Sequence, residues 1–343
     1  MKNLRTSLSL ALIARRNFTC VTDHYEHCVH EIITRLTQFD ASLSWTEVDI
    51  LKGSQDLISK MCREEKSGDD SQALKLHNIV IWNHLESYSM DLATKNDLLR
   101  TFDQLEMHNA IDSRKEDHKK PVIIQNQEVI VPDIFIIIPV MKLGNTIPKI
   151  NPQIKERFWF CQSVFFKRID KRAESSEWDW DLEECRNRLA DVYFDPEVRE
   201  YVSSLMVFTR SHRLTSLAPL TSRPTYKGTL SIVELAKALV VWNNRLNFDR
   251  LYVTPDYVKV AYRKVCYWLV DWETNPTFIS KSNQTEHDRR MQISILTGDW
   301  YGSEWQSVKS YLKENESHKD FKTTTGFQNK IVEDVLDSVL PPL

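Results

Sequence analysis

Hydrophobic positions in the first half of the chain alternate between short continuous runs and segments with helical spacing. The run Asn78–Trp82 does not alternate with polar residues, which is typical of a strand buried on both faces of a sheet. Between the runs, Tyr25–Leu36 and Asp91–Ile111 have the spacing of helices. This alternation predicts a parallel α/β sheet covered by helices. The predicted strands are Asn17–Val21, Val48–Leu51, Asn78–Trp82 and Ile134–Val140.

Three local signals complete the prediction for this half. Residues 1–13 (MKNLRTSLSLALI) predict an amphipathic first helix packed on the domain, with a mitochondrial presequence as the alternative. Residues 122–131, interrupted by the polar residues 125–127, predict a β-hairpin. Asp23, with Glu26 three residues later, predicts a capping box at the start of the helix that follows the first strand.

The second half has helical patterns only. Asp195-Pro196 and Thr254-Pro255 each place proline directly after a capping residue, and each predicts a helix start. Further helices are predicted at 225–245, 305–312 and 328–339, with a polar loop at 275–286. The chain therefore divides into an α/β core at 1–172, an acidic connection at 173–194, a helical domain at 195–273 and a C-terminal loop with helices at 274–343.

Composition narrows the classes of function. The chain has 343 residues, a formal net charge of -3 and 27% charged residues, so charge does not support nucleic-acid binding. No apolar run is long enough for a membrane span, and the six scattered cysteines are typical of reduced thiols in an intracellular protein. There are only seven glycines, and neither G-x-G-x-x-G nor G-x-x-x-x-G-K-[ST] occurs.

Four segments, in this order, resemble an AAA+ ATPase module, and within that superfamily its MoxR-like branch. The resemblance covers about residues 8–272. It implies a three-layer parallel sheet of the P-loop NTPase/AAA+ type, followed by a small all-α lid domain at 195–273. The segments are VIIQNQEVIVPDIFIIIPV (122–140), INPQIKERFWF (150–160), VREYVSSLMVFTRSHRL (198–214) and YVTPDYV (252–258).

The positions that bind phosphate and metal in that superfamily are altered here. The segment VTDHYEHCVHE (21–31), where the resemblance places the phosphate loop, has neither glycine nor lysine, and Asp23 and Glu26 would repel a triphosphate. Asn83 and His84 stand where the family has its Mg²⁺-binding Asp and water-activating Glu; Glu86 lies two residues further on. With these departures, the resemblance implies a pseudo-ATPase with no catalytic, cofactor-binding or metal-binding residues and no cofactor.

The remaining family positions agree with this prediction. The polar sensor after the buried strand falls near Met141, and the lid arginine falls near Lys227-Gly228. Arg157 alone corresponds to an arginine finger. We favour a structural ion pair at the helix end as its role.

A narrower resemblance is to the fungal maintenance of telomere capping protein 2 family, strongest over 150–272 and the last twelve residues. It implies a role in telomere capping. Together with the altered nucleotide positions, this predicts a non-catalytic AAA+-like scaffold or adaptor with protein partners and a nuclear or cytoplasmic location. The segments that carry this resemblance are ERFWF, REYVSSLMVFTRSHRL, YVTPDYVKVAYR and VEDVLDSVLPPL.

Several alternatives remain open from the residues. One is an active ATPase with an unorthodox or partner-completed site. Another is a binder of single-stranded telomeric DNA, with a basic groove formed by Arg157, Lys167, Arg168 and Arg172. A metal site at His24, His27, His30 and Cys28 is disfavoured because residues three apart drift across a helix face. Ser211 and His212 are interpreted as lid-helix surface.

Overall fold

The structure is a computed structural model. It describes residues 2–50, 57–64, 74–85, 92–111, 122–124, 127–142, 150–166, 180–216, 223–246, 251–270, 285–299, 301–303, 305–306, 308–310 and 329–342. Two compact units are formed, the first by 1–191 with 241–249 and the second by 192–240 with 250–343.

The described strands are β1 Thr19–Thr22, β2 Trp45–Asp49, β3 Cys62–Glu64, β4 Leu74–Leu76, β5 Ile79–Asn83, β6 Val122–Ile124, β7 Gln127–Ile130, β8 Ile136–Lys142 and β9 Cys161–Val164. The described helices are α1 Lys2–Ala14, α2 Tyr25–Phe39, α3 Leu57–Met61, α4 Leu92–Ile111, α5 Pro152–Lys155, α6 Leu182–Asp191, α7 Pro196–Ser211, α8 Arg213–Ser216, α9 Tyr226–Asn243, α10 Pro255–Leu269, α11 Glu286–Thr297 and α12 Lys330–Ser338. Among the described residues, no helix is both long and apolar enough to cross a membrane.

A five-stranded sheet with every neighbouring pair parallel forms the centre of the first unit. Its order is β2-β5-β8-β1-β9, so the most apolar segment of the chain, β8, lies at its middle, as predicted. All residues of β1 and the first six of β8 are buried. Such strands read as continuous apolar runs because both faces are covered. The predicted α/β class with a parallel sheet is confirmed.

Two strands of this sheet depart from the predictions, and both are edge strands. The second strand begins at Trp45, three residues before the predicted Val48, because Trp45, Thr46 and Glu47 are at least partly exposed and do not form an apolar run. Strand β9 was not predicted, since Cys161–Val164 alternates between half-buried and buried residues and is only four residues long. One-sided burial removes the apolar run that marks a central strand.

A second sheet has the order β3-β4-β7-β6. The predicted hairpin is present in it as the antiparallel pair β6 and β7. The two remaining strands were not predicted. They are three residues each. Strand β4 pairs with β7 in parallel, and the two strands are too far apart along the sequence for a local turn signal to indicate the pairing.

The predicted first helix is present as α1, but it is not amphipathic, because every residue from Ser7 to Ile13 is buried and the helix is covered on all sides. Helix α6 lies within 173–194, which the sequence suggested was a connection. Cys185 of α6 is buried, and Arg186 donates from Nε and Nη2 to the carbonyl oxygen of Leu12 at 3.1 and 2.8 Å. Because the segment is acidic, the sequence did not predict this helix, which packs on α1.

The second unit is built of helices. Helices α7, α9, α10 and α12 were predicted, whereas α11 was not. Helix α11 is mostly exposed, so it lacks an apolar stripe, and its signals are a capping box formed by Thr285 and Asp288 and an αL residue, Gly298, with φ of 69° at its end. Asp195 caps α7 as predicted, accepting from the N–H of Glu197 at 2.8 Å.

Helix α12 packs against α7 and α10. Its buried face carries Ile331, Val332 and Val335. Arg263 Nη2 on α10 forms an ion pair with Glu333 Oε2 at 2.8 Å, and the Tyr267 hydroxyl donates to the same carboxylate. The last residues of the chain therefore complete the helical unit.

Asn78 connects three strands at the amino ends of the sheet. Its Oδ1 accepts from Ser44 N at 3.1 Å and from Ser44 Oγ at 2.9 Å, and its Nδ2 donates to the Ile134 carbonyl at 2.9 Å. We expect Asn78→Ala to lower the free energy of unfolding by about 1–3 kcal/mol, because these partners lose their hydrogen bonds. Urea unfolding measures this. Thr37→Ala on the exposed face of α2 is the control, and equal losses in both variants would contradict the assignment.

Candidate functional site

The carboxyl ends of the central strands form the candidate site. In open α/β sheets, ligands bind outside these ends, at the point where successive connections leave in opposite directions. Here β1 lies between β8 and β9, and the chain then continues to β2 at the opposite edge of the sheet. The turn from β1 into α2, at 22–25, is therefore the position to examine.

Side chains close this turn. The N–H of His24 donates to Thr22 Oγ1 at 3.2 Å, and Asp23 Oδ1 accepts from the N–H of Phe166 at 3.1 Å. The predicted capping box is wrong: His24 is the N-cap of α2, and it makes no side-chain cap bond among the described residues. The Asp23 carboxylate instead satisfies an amide just beyond the end of β9.

Three aromatic rings pack beside the turn, and we call His24, His27 and Phe166 the turn cluster. The ring centroids lie 5.8 Å apart for His24 and His27, 5.8 Å for His27 and Phe166, and 6.5 Å for His24 and Phe166. Cys28 is buried. Within the described stretches, no three His, Cys, Asp or Glu side chains come together as metal ligands.

The end of β5 carries Asn83 and His84, the two residues at which the resemblance to AAA+ modules placed an acidic pair. Asn83 Nδ2 donates to Glu47 Oε2 on β2 at 3.4 Å. His84 has φ of 62°, a left-handed conformation that is uncommon outside glycine, and its ring stacks on Tyr25 with centroids 6.3 Å apart. Glu86 lies outside the described residues. Met141, at the sensor position on β8, is fully buried.

Arg157 forms ion pairs within its own unit. Its Nη1 lies 2.5 Å from Asp103 Oδ1 and 3.1 Å from Glu106 Oε2, both on α4, and its side chain is 9% exposed. The structure thus has the ion pair that the sequence favoured, with the acids of a different helix as partners. Lys167, Arg168 and Arg172 of the hypothetical basic groove lie outside the described residues.

The remaining predicted positions lie in the helical unit. A Cβ on Gly228 would meet Leu269 and Met206 at 3.1 Å, so this glycine permits close packing of α9. Ser211 Oγ donates to the Val207 carbonyl at 2.9 Å, and His212 ends α7 as its C-cap. Both therefore serve the helix end.

Sequence reasoning missed Phe166 and Glu47. Phe166 lies two residues after β9, which was itself not predicted, and 143 residues after its partner Asp23. Glu47 lies on the exposed edge strand. The parallel pairing of β1 with β9 and of β2 with β5 was the missing information, since it sets which strand ends meet.

Comparison with known proteins supports the fold. No family model matches the chain. It is 26% identical over 215 residues to Maintenance of telomere capping protein 2 of Saccharomyces cerevisiae, covering 55% of this chain and 54% of the relative. It is 22% identical over 199 residues to the protein of that name in Vanderwaltozyma polyspora, covering 57% and 51%. The chain spans about half the length of these curated relatives.

A crystal structure of a candidate ATPase from Cytophaga hutchinsonii superimposes with a TM-score of 0.53 and 14% identity, covering 86% of this chain and 88% of that one. At this identity the likeness bears on the fold alone. The fold is that of the P-loop NTPase/AAA+ type, with a parallel α/β sheet followed by a helical unit, as the resemblance implied.

The Arg157 ion pairs generate a stability prediction. We expect Arg157→Met to lower the free energy of unfolding by about 1–3 kcal/mol, because it leaves Asp103 and Glu106 without their buried cation. Arg100→Met on α4 is the matched control, since the Arg100 side chain is 79% exposed and its pair with Asp97 is 3.9 Å long, a geometry worth about 0–1 kcal/mol. A double-mutant cycle with Asp103→Asn isolates the pair. A coupling energy near zero would contradict its structural role.

His212 generates a pH prediction. Burial lowers the pKa of His212, and Asp334 Oδ2, 3.7 Å from Nε2, only partly offsets this. The unfolded chain therefore takes up the proton first, and the stability contributed by neutral His212 is lost as pH falls below about 6.5. We expect a shallower decline in unfolding free energy between pH 7 and pH 5 for His212→Gln. Identical pH profiles would refute this.

Proposed function

We propose that the chain is a non-catalytic AAA+-like scaffold or adaptor that serves telomere capping or maintenance. The telomere role rests on the name of its relatives, Maintenance of telomere capping protein 2. The non-catalytic role rests on one observation, the closure of the β1–α2 turn by the chain's own side chains.

Phosphate binding at such a turn needs backbone N–H groups that point at the ligand and a lysine that reaches it. In this chain the N–H of His24 already donates to Thr22 Oγ1. The carboxylate of Asp23 lies in the same turn and would repel a triphosphate across a short distance. No lysine is present between 21 and 31 to offset that repulsion.

The described residues at the positions expected to bind metal and to assist hydrolysis are also engaged in contacts within the chain. Asn83 is neutral, and its amide is directed to Glu47. Arg157 is already paired with two carboxylates of its own unit, so supplying it to another subunit would break both ion pairs. A scaffold needs neither group, and we expect its activity to lie in contacts with protein partners in the nucleus.

Isothermal titration with ATP and Mg²⁺ tests this proposal. We expect no saturable heat at nucleotide concentrations up to about 1 mM, which corresponds to a binding free energy weaker than about 4 kcal/mol. We expect no phosphate release in a parallel turnover assay.

Two results would overturn the proposal. Micromolar binding with turnover would favour an active ATPase with an unorthodox site. A salt-dependent mobility shift of a telomeric single-stranded oligonucleotide would favour direct DNA binding. Asp23→Ala tests whether charge repulsion alone excludes nucleotide. If it does, this variant gains weak ATP binding. His30→Ala, on the exposed face of α2, is the control and is expected to gain none.

A further inference from the structure

The two segments that lead into α7 and α10 have the same sequence pattern. Each consists of tyrosine, an apolar residue, a helix-capping residue, proline and an acid: Tyr193–Glu197 reads YFDPE, and Tyr252–Asp256 reads YVTPD. The structure places them side by side, in parallel. The N–H of Tyr193 donates to the Leu251 carbonyl at 2.8 Å, and the N–H of Val253 donates to the Tyr193 carbonyl at 3.0 Å.

In each pattern the apolar residue packs inside the fold, whereas the tyrosine lies at the surface. Phe194 and Val253 point into the helical unit and are 7% and 3% exposed. Tyr193 and Tyr252 are 60% and 47% exposed. Because directly opposite residues of paired strands share a face, the two tyrosine side chains leave this bridge on the same exposed face. We call Tyr193 and Tyr252 the tyrosine pair.

Carboxylates border the tyrosine pair. Asp195 Oδ2 accepts from the Tyr193 hydroxyl at 3.2 Å. Glu197 is exposed, and the Asp256 side chain is 90% exposed. Asp195 and these two acids also offset the partial positive charge of the two helix amino termini.

Basic groups are fewer at this surface. From 193 to 200 and from 252 to 259 there are four acids and two basic residues. One of these, Arg199, has its guanidinium over the Phe194 ring at 5.7 Å. The other, Lys259, has its Nζ 3.8 Å from Asp256 Oδ1, in an exposed geometry that binds weakly.

We propose that the tyrosine pair is a docking site for an extended, proline-containing basic segment of a partner protein. Adjacent exposed aromatic rings accept the flat faces of proline in a polyproline II segment, which enters with little loss of conformational entropy. Arginine side chains of the same segment stack on the rings and pair with the carboxylates. The inference deepens the scaffold role proposed above, because it names the chemistry of a partner.

Fluorescence polarisation with the full chain tests this site. The probe is a labelled decapeptide of alternating arginine and proline, and the control probe has glutamine in place of each arginine. We expect binding of the arginine probe with a Kd on the order of 10–100 μM at low salt, as for a weak transient contact. We expect weaker binding at high salt, because exposed charges are screened, and little binding of the glutamine probe.

Variants assign the binding to the tyrosine pair. Tyr193→Ala with Tyr252→Ala is expected to weaken binding about tenfold, through loss of two stacking faces. The double Phe variant keeps the rings and is expected to stay within about threefold of the unmodified chain. Glu197→Lys with Asp256→Lys is expected to weaken the arginine probe by about tenfold as well. The matched control is Tyr301→Ala, since Tyr301 is 94% exposed in the same unit.

Equal affinity in all variants, or no polarisation change at about 1 mM chain, would overturn the docking site. Circular dichroism of each variant excludes misfolding as the cause of lost binding, and the double Phe variant provides a folded comparison. ATP titration separates the two proposals: turnover together with peptide binding would remove the scaffold role and leave the docking site. Absence of turnover together with absence of peptide binding would remove only the docking site.

Discussion

The carboxylate of Asp23 accepts a hydrogen bond from the backbone N–H of Phe166, and it thereby joins the end of β1 to the end of β9. This contact fixes the chain at the place where a sheet of this order would otherwise hold a ligand. The rings of the turn cluster then pack against each other beside it. An interaction between two parts of the same chain thus occupies the turn between β1 and α2.

The same replacement recurs at the other altered positions. Arg157 could act on another subunit only if its charge were free. Its Nη1 lies 2.5 Å from Asp103 Oδ1 and 3.1 Å from Glu106 Oε2, and its side chain is 9% exposed. Asn83 donates to Glu47 on the neighbouring strand. Each group thus contributes to the stability of the first unit. Breaking the Arg157 ion pairs to bind a ligand would leave a largely buried cation without its partners, which costs more than an ordinary surface change.

The sequence predicted those parts of the fold that have a local signature. Strand β8 was predictable because its first six residues are apolar and buried, and α7 because Asp195-Pro196 marks its start. Strand β9 was not, since its burial alternates over four residues and its place in the sheet is set by pairing with β1. The lack of glycine and lysine at 21–31 could be read directly. The partner of Asp23 could not, because it lies 143 residues away on a strand without a signature.

In the YVTPDYV segment (252–258), some residues stabilise the fold and others lie at the surface. Pro255 sets the first turn of α10, and Val253 and Val258 are buried, so these residues are explained by the helical unit itself. Tyr252 is not, since 47% of it is exposed beside an exposed Tyr193. A large aromatic ring held at the surface by a backbone pairing contributes little to the core, and the same arrangement appears twice at one place. Residues that the fold does not use are therefore the best guide to what the surface binds.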